Sequence, residues 1–229
     1  MRNGGSTMGA LQCAVSRPMF RGKGLGRSAG PVLLAKNDRL AVGKPISSMD
    51  RETIVAAIRK AQKRIDQYSE LIERFGATDV SIDNRFQRQF NLFYRVRHQT
   101  GIWHQSYYFY MQQQKGHAPN FSTVLRYFAS QMGRYEPSFS SKLIALHNPA
   151  LPIWDSVVLN KTGITAPGYS DPQRLHKAEK KYRQIQGWYF NYLRSNEGKA
   201  IVELFNENVK GHAGISDIRK LDFVIYQNI

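Results

Sequence analysis

The sequence has little cysteine and little acid. Cys13 is the only cysteine among 229 residues. A single thiol excludes an internal disulfide, a four-cysteine zinc site and an iron–sulfur cluster held by cysteines. The 33 Lys and Arg outnumber the 17 Asp and Glu and give a formal net charge of +16. We therefore expect the partner of this chain to be a polyanion.

Long apolar runs are also missing. No stretch approaches the roughly 18 consecutive apolar residues that a membrane-spanning helix needs, so we expect a soluble protein with no membrane partner. Hydrophobic residues make up 41% of the chain and aromatic residues 12%. This content is sufficient for a buried core and excludes a wholly disordered chain.

The positive charge is unevenly distributed along the chain. Residues 1–48 hold eight Lys and Arg against one acid, Asp38, and thus seven of the sixteen net charges. They also hold eight of the 18 glycines and show no helical or strand period. We expect a flexible basic arm here. A nucleic-acid-binding tail, an organelle transit peptide and an upstream-extended reading frame all remain open; without targeting, the expected location is cytoplasmic and nucleoid-associated.

After residue 48 the apolar residues follow a helical period. From Asp50 to Phe75 they recur at alternating gaps of four and three, with Ser48 or Asp50 as a cap and Gly76 as the stop. No alternating strand pattern is present. The sequence predicts an all-α, compact single domain of about eight helices over residues 49–229. The later helices are expected over residues 84–98, 102–115, 121–132, 139–147, 156–161, 171–194, 197–209 and 216–227.

Two neighbouring segments carry a candidate chemistry. The first, SFSSKLIA, begins at Ser138 and opens a short helix that bears Lys142. After a link with two prolines, the second segment, PIWDSVV, presents Asp155 at the start of the next helix. This arrangement resembles the helix-hairpin-helix (HhH-GPD) DNA glycosylase superfamily, in which a Gly-rich hairpin grips DNA phosphate and a catalytic aspartate precedes a Val-rich helix. The resemblance covers residues 133–163.

The resemblance implies a monomeric DNA glycosylase that flips a damaged or modified base out of double-stranded DNA and hydrolyses its N-glycosidic bond. It implies neither a metal nor an organic cofactor. Asp155 would be the catalytic carboxylate, because a carboxylate near C1′ stabilises the oxocarbenium charge and orients or deprotonates water. Base-excision repair and defence against phage DNA with modified bases are both open settings, and the excised base is not defined.

Two departures from the superfamily affect the expected roles. Gly133 is not followed by the second hairpin glycine, so the backbone amides that open the helix at Ser138 to Ser141 are expected to bind phosphate. The hydroxyls of Ser138, Ser140 and Ser141 would help them, together with Arg134 and Arg95. Members with lyase activity place a lysine about 19 residues before the aspartate, where this chain has Glu136. Lys142 precedes Asp155 by only 13 residues. We favour a phosphate contact for Lys142 in a monofunctional enzyme, with an imine-forming nucleophile as the alternative.

A flipped base also needs an aromatic pocket. The candidates for stacking on it are Trp103, Tyr107, Tyr108 and Trp154. In a competing interpretation, Asp155 only caps the helix that follows it. Lys142 would then lie on a solvent-exposed helix face.

The main alternative is a non-catalytic helical protein that binds DNA or RNA. In that case the net charge alone would explain the binding. A metal-dependent nuclease is disfavoured because the acids are isolated in the sequence and the six histidines form no His-x-x-x-His pair. Nucleotide hydrolysis and acyl transfer lack their usual phosphate loop and nucleophile elbow.

Overall fold

The structure is a computed structural model that describes residues 49–227. Within that range every regular element is helical, which confirms the all-α prediction. The predicted basic arm and Cys13 lie outside the described residues. No described helix is long and apolar enough to cross a membrane. The elements are α1 Arg51–Ala77, α2 Asn84–Phe93, α3 Gly101–Gln113, α4 Phe121–Gln131, α5 Pro137–His147, α6 Ser156–Thr162, α7 Arg174–Arg194, α8 Asn196–Asn208, a short 3-10 turn His212–Gly214 and α9 Asp217–Ile225.

Two helix caps predicted from the sequence are present. The Asp50 carboxylate accepts a hydrogen bond from the Thr53 amide at 2.7 Å and begins α1. The Asp155 carboxylate accepts one from the Val158 amide at 2.9 Å and begins α6. Each carboxylate satisfies an amide that has no partner inside its helix.

Helix α1 continues past the predicted stop at Gly76 to Ala77, and two other helix boundaries differ from the prediction by three residues or more. The second helix ends at Phe93 and not at residue 98, because Arg95 and His98 adopt left-handed backbone angles, with φ of 52° and 58°. Helix α7 begins at Arg174, later than predicted. The Asp171-Pro172 pair forms a turn before it, in which the Asp171 carboxylate accepts hydrogen bonds from the Gln173 amide at 2.9 Å and from Lys177 at 2.7 Å.

The packing of the helices brings the middle of α1, at Arg64 and Tyr68, to a cavity that residues of α5, α6 and α9 also line. Helix α1 packs against α2, α8 and α9, while α4 packs against α5 and α7. Helix α7 contacts α6, α8 and α9 as well. A sharp junction joins α7 to α8, where Ser195 caps both helices and a Cβ at Gly198 would collide with the Tyr192 carbonyl. The helices therefore enclose a cavity lined by residues from α1, α5, α6, α9 and the segment after α2.

Candidate active site

The cavity has a volume of about 610 Å³, within the range of about 300–1,000 Å³ typical of small-molecule sites. Its apolar wall includes Phe93, Trp154 and Phe223. The two residues that the sequence singles out for catalysis, Lys142 and Asp155, both line it. The charged side chains in the lining are Arg64, Arg95, Lys142, Asp155, Arg219 and Asp222.

Both oxygens of the Asp155 carboxylate have hydrogen-bond donors. Oδ1 accepts from the Val158 amide at 2.9 Å, and Oδ2 accepts from the Tyr226 hydroxyl. Burial and the negative charge of Asp155 raise the pKa of Tyr226 well above its usual value, so this hydroxyl keeps its proton and donates. Asp155 thus does more than cap α6, because its carboxylate is also held in a fixed orientation in the cavity wall.

Lys142 lies inside the cavity and is 8% exposed. Its Nζ donates a hydrogen bond to the Tyr94 carbonyl at 3.2 Å and lies 5.0 Å from the centroid of the Phe139 ring. Burial lowers the pKa of Lys142, and the charges of Asp155 and Glu136 oppose this shift. The amine is therefore neutral in a larger fraction of molecules than an exposed lysine. Such a position does not agree with the phosphate contact favoured from the sequence, because a backbone phosphate stays at the protein surface.

The serines at the start of α5 also differ from the sequence prediction. Ser140 and Ser141 are fully buried. The Ser140 hydroxyl donates to the Glu136 carbonyl at 2.7 Å. The Ser141 hydroxyl donates to the Ser138 carbonyl at 2.8 Å and accepts from the Trp154 amide at 2.8 Å. The prediction that these two hydroxyls anchor phosphate is wrong for this structure, since both are used inside the protein.

The Ser141 contact has a structural role instead. It ties α5, which carries Lys142, to the segment that carries Asp155. The third serine, Ser138, is partly exposed and lines the cavity.

The two arginines predicted to bind phosphate occupy different places. Arg95 is exposed and lines the cavity. Arg134 is exposed, pairs with the Glu136 carboxylate at 2.7 Å and is not part of the cavity lining. The structure therefore brings Arg95 to the candidate site and leaves Arg134 outside it.

All four aromatic residues predicted for the base pocket belong to the core, and one of them also lines the cavity. Trp103, Tyr107 and Tyr108 are at most 3% exposed and do not line the cavity. Trp103 stacks on Tyr107 with ring centroids 4.7 Å apart, and the Tyr107 hydroxyl donates to the Phe139 carbonyl at 3.0 Å. The prediction is wrong for these three because α3 packs their side chains into the core. Trp154 does line the cavity.

Several residues of the site were missed by sequence reasoning. Tyr68 on α1 lines the cavity, is 2% exposed, and has a buried hydroxyl with no hydrogen-bond partner among the residues that the structure describes. Arg64, one helical turn earlier on α1, and Tyr226, after α9, line the cavity as well. Tyr68 belongs to the apolar period of α1, and a hydroxyl on that face is the one signal that could have identified it.

One wall of the cavity is a buried ion pair whose polar groups are occupied by the protein itself. The guanidinium of Arg219 lies 2.6 Å from the Asp222 carboxylate. Asp222 also accepts a hydrogen bond from the Tyr189 hydroxyl, and Arg219 donates to the Leu151 carbonyl. A buried pair with this many partners is a rigid wall, since breaking it would leave a buried charge uncompensated.

Comparison of the chain with protein-family models, with curated proteins and with solved structures finds no match. Within residues 49–227, no three His, Cys, Asp or Glu side chains come together as metal ligands. The functional conclusion therefore depends on the cavity and on the groups that line it.

Proposed function

We propose that this chain is a DNA glycosylase that removes a damaged or modified base flipped out of double-stranded DNA. One observation carries the proposal. A carboxylate with both oxygens held, Asp155, and a buried amine with a lowered pKa, Lys142, line the same cavity with aromatic walls. A basic chain supplies the general attraction to DNA, and the cavity supplies a place for one base.

The base would stack in the cavity against Phe93, Trp154 or Phe223. As the bond between C1′ and the base nitrogen breaks, its electron pair leaves with the base, which takes up a proton from solvent. Positive charge then develops on the deoxyribose, and the Asp155 carboxylate stabilises it. Tyr226 keeps that carboxylate in place during the reaction, because its hydroxyl already donates to Oδ2.

The burial of Lys142 favours the nucleophile over the phosphate contact. In its neutral form Nζ would attack C1′ while the bond to the base breaks, and Asp155 would accept one proton from the nitrogen. The bond from C1′ to the ring oxygen then breaks, that oxygen takes the proton back from Asp155, and a protonated imine remains. If a water attacks instead, Asp155 accepts its proton and the enzyme is monofunctional. Borohydride reduces an imine to a stable covalent link and so distinguishes the two routes.

The proposal is tested with a panel of DNA duplexes that each contain one modified base. Mass spectrometry of the released bases identifies the substrate, and its identity separates repair from defence against modified phage DNA. With that duplex, borohydride should trap a covalent adduct of the wild-type protein and none of Lys142→Gln. Base release without an adduct would assign the attack to water. Binding to every duplex with no base released from any of them would favour the non-catalytic alternative.

A further inference from the structure

Two arginines lie where the cavity meets solvent, and neither has an acidic partner in the described part of the chain. Arg64 is half-buried on α1, and Arg95 is exposed after α2. Both line the cavity. The ion pairs formed within residues 49–227 include neither of them. Two unpaired guanidinium groups thus share one opening.

The two charges are close enough to act on each other. Burial, followed by the positive charge of Arg95, lowers the pKa of Arg64, while Asp155 opposes this shift more weakly. Two like charges in a partly buried site destabilise each other, and an anion bound between them removes that repulsion. The pair therefore favours an anionic ligand at the cavity opening.

Arg64 is held in place before any ligand binds. Its guanidinium donates a long hydrogen bond, 3.4 Å, to the Phe93 carbonyl, and its central carbon lies 5.0 Å from the centroid of the Phe93 ring. A guanidinium over an aromatic face gains cation–π attraction. These contacts point the Arg64 side chain from α1 towards the end of α2, where Arg95 follows.

The backbone at Arg95 is held in an uncommon conformation. Its φ of 52° is left-handed, a region that residues other than glycine rarely adopt. The turn is fixed by hydrogen bonds from the Arg95 amide to the Leu92 carbonyl at 3.4 Å and from the Val96 amide to the Asn91 carbonyl at 2.9 Å. Strained backbone of this kind clusters at binding sites. Arg95 directly follows Tyr94, whose carbonyl accepts a hydrogen bond from Lys142.

We propose that Arg64 and Arg95 together bind one phosphodiester of DNA, the phosphate next to the nucleotide whose base enters the cavity. This inference rests on the proposed glycosylase function. A guanidinium offers paired donors that match phosphate oxygens. Two guanidinium groups that bind the same phosphate fix its position and neutralise its charge. The phosphate would hold the sugar of that nucleotide at the cavity that Asp155 and the buried Lys142 also line.

The test uses the full-length chain and a duplex with a single tetrahydrofuran abasic-site analogue. Dissociation constants are measured with every phosphate charged, and again with one uncharged methylphosphonate at each linkage around the analogue. For the wild-type protein, one methylphosphonate next to the analogue should weaken binding by about tenfold or more. The double variant Arg64→Gln, Arg95→Gln should lose a similar factor on the charged duplex and nothing further with that methylphosphonate.

The matched control is the double variant Lys63→Gln, Arg97→Gln. It removes the same charge from the same helix and the same segment, but both residues are exposed and neither lines the cavity. It should weaken binding less and keep the full methylphosphonate effect. Circular dichroism and thermal melting check that all variants remain folded.

A methylphosphonate effect of the same size in the Arg64→Gln, Arg95→Gln variant would overturn the phosphate site. That result would leave the glycosylase proposal intact if the protein still releases a base, which is measured separately. A wild-type protein that binds none of these duplexes would contradict both.

Discussion

The hydroxyl of Tyr226 donates a hydrogen bond to Oδ2 of Asp155 across 71 residues of sequence. The segment after α9 therefore contributes directly to the site built around α5 and α6. Tyr226 is a positioning residue in this account, since it acts on the reacting sugar only through Asp155.

Tyr226→Phe should slow base release on the order of tenfold, the usual effect of losing a partner that orients a functional group. Binding of the duplex should stay unchanged, because this hydroxyl contacts Asp155 and not the DNA. The measurements are single-turnover base release and duplex binding, with Tyr169→Phe, an exposed tyrosine outside the cavity, as control. A lower rate accompanied by weaker duplex binding and a lower melting temperature would indicate a purely structural role.

Tyr68→Phe should separate stability from function. The Tyr68 hydroxyl is buried with no partner within the described range, so its removal should leave the free energy of unfolding unchanged or raise it by about 1 kcal/mol. Base release should nevertheless fall, because this hydroxyl is available to hydrogen-bond the base.

The control for Tyr68 is Tyr107→Phe. The Tyr107 hydroxyl does donate, to the Phe139 carbonyl at 3.0 Å, so its loss should cost about 1 kcal/mol of stability. Unchanged base release in Tyr68→Phe would remove Tyr68 from the account of base binding.

Lys142→Met should raise the melting temperature at pH 7 while abolishing the borohydride adduct. Burial lowers the pKa of Lys142 below its usual 10.5, so the unfolded chain holds this proton more tightly than the folded one. Wild-type stability should then rise as the pH rises towards that unfolded value. The gain at pH 7 should be about 2–4 °C, the shift that 1 kcal/mol produces in a chain of this size.

Melting curves of Lys142→Met and the wild type between pH 7 and pH 9.5 test this pH dependence of stability. The difference in melting temperature between the two proteins should narrow as the pH rises. A difference that widens with pH would mean that the lysine gains a stabilising charge on folding.

Ser141→Ala should destabilise the protein by about 1–3 kcal/mol, because the buried Trp154 amide loses its acceptor. The salt dependence of DNA binding should stay unchanged, since Ser141 is buried away from any phosphate. Urea unfolding and binding at several salt concentrations measure the two effects. A smaller salt slope with unchanged stability would restore the phosphate role that the sequence suggested.

The local features of the fold could be predicted from the sequence because they depend on neighbouring residues. The spacing of apolar side chains identified α1, and the caps at Asp50 and Asp155 follow from the chemistry of a carboxylate beside free amides. Left-handed angles at Arg95 and His98 have no such signal, since neither residue is glycine. With them, α2 ends at Phe93, five residues before the predicted boundary.

The candidate site was only partly predictable. The motif identified Asp155 and Lys142, which the structure brings to one cavity. Tyr226 and Arg64 were missed because they reach the cavity from segments far away in sequence. The aromatic residues of α3 were assigned to the base pocket wrongly, since composition does not distinguish an aromatic core from an aromatic binding wall.

The most direct measurement is single-turnover base release by wild-type protein and Asp155→Asn on the duplex identified in the panel, with binding measured in parallel. We expect Asp155→Asn to bind the duplex as the wild type does and to release no base. The control Asp66→Asn, an exposed acid outside the cavity, should be indistinguishable from the wild type. Base release at the wild-type rate by Asp155→Asn would contradict the assignment of the cavity as the active site.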